Sequence, residues 1–318
     1  PGVRLSGVIL NKAASPRHTR EVRDALEATG VPVLGVLPRD AGIEAPSRHL
    51  GLVPAQERAE ASATIDLLAA RIADHVDLQA VLQVAHTAAP LRGTPWAPDT
   101  RPHADGARPV VAVAGGRAFT FRYAETDEVL RAAGLDVVVF DPTTDTALPD
   151  GTAGLYLGGG FPEVHAAELA ANTALLAAIG DAVASGLPTV AECAGLLYLC
   201  DSVDGHPMVG AVPATASMGP RLTLGYRTAV APADSLLAPA GRRSAGHEFH
   251  RTTVTGLHAA SAPAPAWLLH GRADGFSLDP AGTGTPTLHA SYLHTHWAGQ
   301  PHLARRFVDA VHARAARP

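Results

Sequence analysis

Leu187-Pro188-Thr189-Val190-Ala191-Glu192-Cys193-Ala194-Gly195-Leu196-Leu197-Tyr198 is the stretch on which the reading of this chain turns. A short apolar run ends in Glu-Cys-Ala-Gly and passes into a helix-like apolar run. That is how a nucleophile elbow is written: a tight strand-to-helix turn lifts one side chain off the end of a sheet, and small neighbours let the backbone bend. A helix starting beneath the sulfur would favour the thiolate, which is the reactive form. A buried structural cysteine has the same local text. The decision therefore rests on what the rest of the chain brings to this point.

Upstream, Gly154-Leu155-Tyr156-Leu157 reads as a strand running into Gly158-Gly159-Gly160-Phe161-Pro162-Glu163. A glycine-rich turn exposes backbone N–H groups and can aim them at one point. With the N–H of Ala194, those of Gly159 and Gly160 are expected to form an oxyanion hole for a tetrahedral intermediate. Downstream, Ala290-Ser291-Tyr292-Leu293-His294-Thr295-His296-Trp297 places two histidines on one face of an extended segment. A histidine there can serve a thiol as general base. A zinc site is the rival reading, but Cys and carboxylate partners are not nearby in sequence, and no metal ligands are assigned. His247-Glu248-Phe249-His250 has the wrong spacing for the helical metalloprotease motif and lies in an expected strand.

The 318 residues suggest two domains. Strand, helix and strand over Ser6–Lys12, 17–29 and Val31–Leu37 form a βαβ unit, followed by a helical stretch over 57–86 with Ile65, Leu68 and Ile72 on one face. Residues 1–86 are read as one domain and 87–108, rich in Pro, Gly, Thr and Ala, as a linker. Residues 109–318 form the second domain. There, strands at 109–114, 136–140, 154–157 and 187–191 alternate with helices, as in a doubly wound α/β sheet of mainly parallel strands. Antiparallel strands are expected near 208–213, 222–231, 247–256, 266–278 and 287–293, then a terminal helix over 301–315. A net charge of −5 offers no electrostatic case for nucleic acid or an acidic membrane surface. No apolar run reaches the roughly 18–20 residues of a membrane span. The two cysteines, Cys193 and Cys200, are read as lying on or beside one helix and too far apart to bridge, which fits a reducing cytoplasm.

A cysteine elbow, a preceding glycine turn and a late histidine resemble a class I glutamine amidotransferase domain. More closely, the chain resembles the cobyrinic (or hydrogenobyrinic) acid a,c-diamide synthase family. The matching text is Arg117-Ala118-Phe119-Thr120-Phe121-Arg122-Tyr123, Leu155 to Glu163, Ala191 to Leu196, Leu224-Gly225-Tyr226-Arg227, Gly246 to Arg251 and Ser291 to His294. In the first domain Gly7 to Asn11 and Pro46 to Pro54 add to it. The resemblance implies a C-terminal flavodoxin-like domain that hydrolyses glutamine through a cysteine thioester. It also implies an N-terminal dethiobiotin-synthetase-like half using ATP and Mg²⁺ to activate the a and c acetate carboxylates of a corrinoid.

Carried over, Cys193 is the nucleophile and His294 its base, while Phe161 and Glu163 shape the glutamine pocket. Asn11, just past its strand, meets adenine or merely caps that strand. Arg122, Tyr123 and His250 are expected corrin contacts. Glutamine and the corrinoid are the partners implied, and a homodimer is left open. Two departures stand out. The better-known triad has a glutamate two residues beyond its histidine, where this chain has His296, so the third member is absent or comes from elsewhere and a Cys–His dyad is expected. The family's phosphate loop, G-x-x-x-x-G-K-[ST], is not found, so amidation is expected to need a segment ahead of Pro1. Cobyric acid synthase-type amidation of other side chains, a stand-alone cysteine amidohydrolase and a non-catalytic module are the rival readings.

Overall fold

The computed structural model describes residues 4–40, 61–98, 108–256 and 264–317. Pro46–Pro54 lies outside them. The chain forms two units, Pro1–Trp96 and Ala97–Pro318, dividing inside the stretch read as a linker.

In the first unit, β1 (Val8–Ala13) pairs in parallel with β2 (Val33–Pro38), and α1 (Pro16–Glu27) crosses between them. Ser15 caps α1 by accepting the His18 N–H at 3.2 Å, with Pro16 opening the first turn. The helical stretch expected as one piece is two, α2 (Ala61–His75) and α3 (Leu78–His86). The break has a cause: Val76 bridges Gly35 of β2, and the Asp77 N–H donates to the Leu34 carbonyl at 2.8 Å. Asp77 then caps α3 through the Ala80 N–H at 2.9 Å.

The second unit holds a six-stranded sheet. Its strands are β3 (Val110–Ala114), β4 (Asp136–Phe140), β5 (Thr152–Leu157), β6 (Thr189–Glu192), β13 (Phe276–Leu278) and β14 (Leu288–Ser291). They lie in the order β13-β14-β6-β5-β3-β4, all parallel except β13. Helices cover both faces, which explains why β3 is apolar throughout and every residue of β6 is buried, with no alternation in either. On one face α4 (Ala124–Ala132) and α8 (Pro301–Ala315) bury Leu130, Phe307 and Val311 against Val111 and Tyr156. On the other, α5 (Ala166–Ala171), α6 (Thr173–Ala184) and α7 (Ala194–Leu199) bury Leu169, Ile179 and Leu196 against Leu155 and Leu157. Each such fully buried large side chain is worth about 1.5–3 kcal/mol of transfer free energy.

The remaining strands build a second sheet: β7 (Cys200–Val203), β8 (His206–Pro207), β9 (Val212–Val230), β10 (Arg243–Thr255), β11 (Trp267–Leu269), β12 (Arg272–Asp274) and β15 (His294–Thr295). Here the expected strands change. The segments read near 208–213 and 222–231 meet in the single 19-residue β9, paired antiparallel with β10 over most of its length. Its middle, with Gly219, Pro220 and Gly225, has no apolar alternation to announce it. The segment 266–278 becomes three strands because His270-Gly271 and Gly275 take positive φ and turn the chain. Cys200 begins β7 directly after α7, so the two cysteines flank one helix, as expected. Finally, β15 leaves the sheet that holds β14 and pairs with β10, His247 opposite His294.

Candidate active site

Cys193 stands between β6 and α7 with φ +51° and ψ −97°, a backbone state a non-glycine residue rarely holds. Three backbone bonds impose it. The Cys193 N–H donates to the Ser291 carbonyl of β14 at 2.8 Å, the Gly195 N–H to the Gly158 carbonyl at 3.1 Å, and the Leu197 N–H back to the Cys193 carbonyl at 3.2 Å. Gly195 lets the first turn of α7 press onto β5, since a Cβ there would lie 2.3 Å from the Leu157 carbonyl oxygen. The local sequence therefore makes the elbow as expected. One consequence differs. Burial, then the charge of Glu163, push the thiol well above its usual range, outweighing the hydrogen bond from the Ala194 N–H. A six-residue helix offers little dipole against that desolvation, so the resting sulfur is a thiol.

The glycine turn follows β5 and is held by the segment Ala118–Phe121. Phe121 and Gly159 exchange both backbone bonds, at 2.9 and 3.0 Å, and the Phe161 N–H donates to the Ala118 carbonyl at 2.9 Å. Gly159 is thus withdrawn from the expected oxyanion donors: its N–H is spent on Phe121. Among the described residues the Gly160 N–H donates to no backbone carbonyl. Gly160 is irreplaceable in this packing, because a Cβ would lie 2.0 Å from the Ala118 oxygen. Phe161 is buried and meets the Phe121 ring edge-on at 5.3 Å, and Glu163 lies close enough to act on the thiol.

His294 lies against this turn; a Cβ on Gly159 would come 2.5 Å from its Cε1. Its ring stacks on His247 at 4.7 Å between centroids and 9° between planes. Burial, with the like charges of His247 and His250, lowers its pKa to about 3, so the imidazole is neutral and able to accept a proton. His296 turns instead to α4, with its ring 4.8 Å from Tyr123 and Nε2 3.8 Å from a Glu125 oxygen. Both histidines line a 560 Å³ cleft with Tyr123, Tyr226 and His247. Among the described residues, no three His, Cys, Asp or Glu side chains come together as a metal ion would require.

The expected corrin contacts do not converge. Arg122 is forked onto Asp127, at 2.8 and 3.1 Å, and Tyr123 lines the cleft beside His294. His250 lines a separate 860 Å³ cleft; its ring stacks on Tyr292 at 3.7 Å and Nδ1 lies 2.8 Å from the Thr252 carbonyl. Beside it Glu248, wholly buried, accepts from Arg227 at 2.5 Å and Arg272 at 2.7 Å. Burial opposes its ionisation, yet hydrogen bonds from His250, Arg227 and Arg272 together prevail and bring its pKa down to about 2. In the first unit, Asn11 lies within β1 rather than past its end, and its side-chain oxygen accepts the Lys12 N–H at 2.9 Å.

Sequence reasoning passed over Glu192. It closes a fully buried strand, and its carboxylate accepts from the Tyr156 hydroxyl at 3.0 Å and from the Thr295 N–H and hydroxyl at 3.1 and 2.5 Å. Burial, the dominant influence, raises its pKa to about 7 against those three bonds. A charged residue ending an otherwise apolar run was the available signal, since such a group must find partners in the core.

Residues 110–302 match the CobB/CobQ-like glutamine amidotransferase domain, and residues 1–53 match the CobQ/CobB/MinD/ParA nucleotide binding domain. Hydrogenobyrinate a,c-diamide synthase of Thermobifida fusca is 62% identical over 317 residues, covering 97% of this chain and 66% of its own length. The enzyme of that name from Streptomyces coelicolor is 48% identical over 343 residues, covering 97% and 68%. Cobyrinate a,c-diamide synthase of a Synechococcus strain is 41% identical over 313 residues, covering 97% and 67%. The chain thus spans about two thirds of the length of its curated relatives. The domain match spans the whole arc from β3 to the start of α8, with the elbow at its centre, and the chain belongs to the CobB/CobQ-like glutamine amidotransferase family, with the a,c-diamide synthases as its relatives.

Proposed function

We propose that the unit Ala97–Pro318 hydrolyses glutamine to supply ammonia, and that the whole protein uses it to amidate the a and c acetate carboxylates of hydrogenobyrinic acid in cobalamin biosynthesis. The carrying observation is Cys193, held at φ +51° on its elbow with the Ala194 N–H directed at the sulfur. In this reading Cys193 Sγ attacks the glutamine side-chain amide carbon while neutral His294 takes the thiol proton. The N–H groups of Gly160 and Ala194 hold the oxyanion. His294 then returns the proton to the departing nitrogen, ammonia leaves, and water opens the thioester to glutamate. Phe161 walls the glutamine pocket, and Glu163 faces the substrate there.

The nucleotide-binding match over residues 1–53 supports ATP as the second substrate. The described residues do not bring together a site for its phosphates and Mg²⁺. The sequence holds no G-x-x-x-x-G-K-[ST] loop, and no cluster of three ligand side chains occurs among the described residues. No phosphoryl step is assigned to them. The cobalt-free ring is favoured because the relatives at 62% and 48% identity are named for hydrogenobyrinate and the one at 41% for cobyrinate.

The test uses the full-length protein with glutamine, Mg-ATP and either corrinoid, followed by mass spectrometry. Two successive amidations of hydrogenobyrinic acid are expected. Cys193→Ala should abolish them with glutamine and leave them intact with ammonium salts. Glutamine-driven amidation by Cys193→Ala would overturn the reading.

A further inference from the structure

Glu192 carries a network that the reaction described above does not use. Its Oε1 takes both donors of Thr295, the residue directly after His294, at 3.1 and 2.5 Å. Oε2 takes the Tyr156 hydroxyl of β5 at 3.0 Å. The Trp297 indole N–H donates in turn to the Thr295 hydroxyl at 3.0 Å, and Trp297 meets the Tyr156 ring edge-on at 5.3 Å. One buried side chain therefore ties the residue before the cysteine to the residue after the histidine.

That tie spans a topological gap. Cys193 follows β6 of the six-stranded sheet, whereas His294 opens β15, which is paired to β10 in the other sheet. Only Tyr292 and Leu293 join β14 to β15. In triads of the Ser-His-Asp kind, an acid bonded to the imidazole fixes the base. Here His294 rests on a stack with His247, and the position two residues on points its own histidine towards Glu125.

We propose that Glu192 is the positioning residue of the Cys193–His294 pair, fixing the base through the backbone and hydroxyl of its neighbour Thr295 instead of through the imidazole. The proposal rests on the reading of Cys193 as nucleophile and His294 as base. A carboxylate in the core is costly to desolvate and tolerable only when its acceptors are filled, which makes this clamp rigid when complete and disruptive when broken. The requirement is for acceptors. An amide at this position keeps an oxygen for both Thr295 donors, whereas alanine keeps none.

The experiment is a double-mutant cycle in the full-length protein on a Cys200→Ser background. Glutaminase kcat and KM are measured together with the rate at which iodoacetamide alkylates Cys193, a readout that needs no glutamine. Glu192→Ala should lower kcat about 10–100-fold with KM for glutamine within about 2-fold, as displacement of a base by about an ångström does. Alkylation should slow in parallel. Glu192→Gln should recover to within about 3-fold of the parent, and Glu192→Ala should slow alkylation no further in a His294→Ala chain. Independent, multiplying effects of the two alanine substitutions would overturn the proposal. So would Glu192→Gln failing as badly as Glu192→Ala. Should Glu192→Ala not fold, Thr295→Val removes the hydroxyl donor alone and should cost about 3-fold in kcat; an unchanged kcat there counts against the clamp. Loss of glutaminase in every form, with alkylation still coupled between Glu192 and His294, would sink the glutamine reading while sustaining the positioning role.

Discussion

Cys193 and Cys200 stand seven residues apart, both buried, both with thiols pushed up by desolvation, Cys200 to about 12 and Cys193 further. Acidity does not separate them. Surroundings do. Cys200 donates its S–H to the Leu196 carbonyl at 3.3 Å and is otherwise enclosed by apolar packing. Cys193 occupies a strained backbone state at a helix start, with the Ala194 N–H on its sulfur and a glycine turn that touches a neutral histidine. In a desolvated site a thiol becomes a nucleophile when a base takes its proton at the moment of attack, so a resting thiolate is unnecessary.

The sharpest way to break this contrast is to remove each sulfur in turn. Cys193→Ala should reduce glutamine hydrolysis by at least about 10³-fold. Cys200→Ala should leave kcat within about 2-fold while costing about 1 kcal/mol of stability in denaturant titrations, as a small core truncation does. Equal losses of activity would erase the distinction. A smaller effect is expected from Gly160→Ala, whose methyl must push Ala118 away and so misdirect the Gly160 N–H. About a 10²-fold fall in kcat is expected, with Cys193 still alkylated by iodoacetamide.

The mildest test is the pH profile of kcat/KM. In the proposed reaction His294 works as the neutral base, and protonation switches it off. Because its pKa in the folded chain is lowered to about 3, the acid limb should fall well below the ordinary imidazole value of about 6.5. His247→Ala removes a neighbouring like charge and the stacked ring, so the limb should move upward. A limb that stays at the ordinary value in the parent chain would mean that His294 is not the base.

Much of this site was written in the sequence. Glu192-Cys193-Ala194-Gly195 between a buried strand and an apolar helix specified the elbow, because only a tight turn joins those two elements at that spacing. The Gly158–Gly160 turn was equally visible, but not the assignment of its N–H groups: Phe121, some 40 residues earlier, takes Gly159. Pairings of that kind depend on tertiary contacts and leave no local pattern. The same holds for Val76, whose bridge to Gly35 splits a helix that periodicity alone would continue. Glu192 was legible as an anomaly, a charge at the end of an apolar strand, yet its partners Tyr156 and Thr295 lie 36 and 103 residues away. No helix among the described residues is long and apolar enough to cross a membrane.

The carboxylates around Cys193 bear on how the catalytic cycle ends. Glu163, Glu192 and Asp274 all act on the sulfur with the same sign. A neutral amide meets no penalty there. In the proposed reaction glutamate forms at that place with a new negative charge on its side chain, opposed first by Glu163 and less by Glu192 and Asp274, whose pKa values burial raises to about 7 and about 6. In the proposed glutamine hydrolysis, the charges that reinforce burial in keeping the thiol protonated also disfavour an anionic product, so glutamate is expected to be a weak inhibitor.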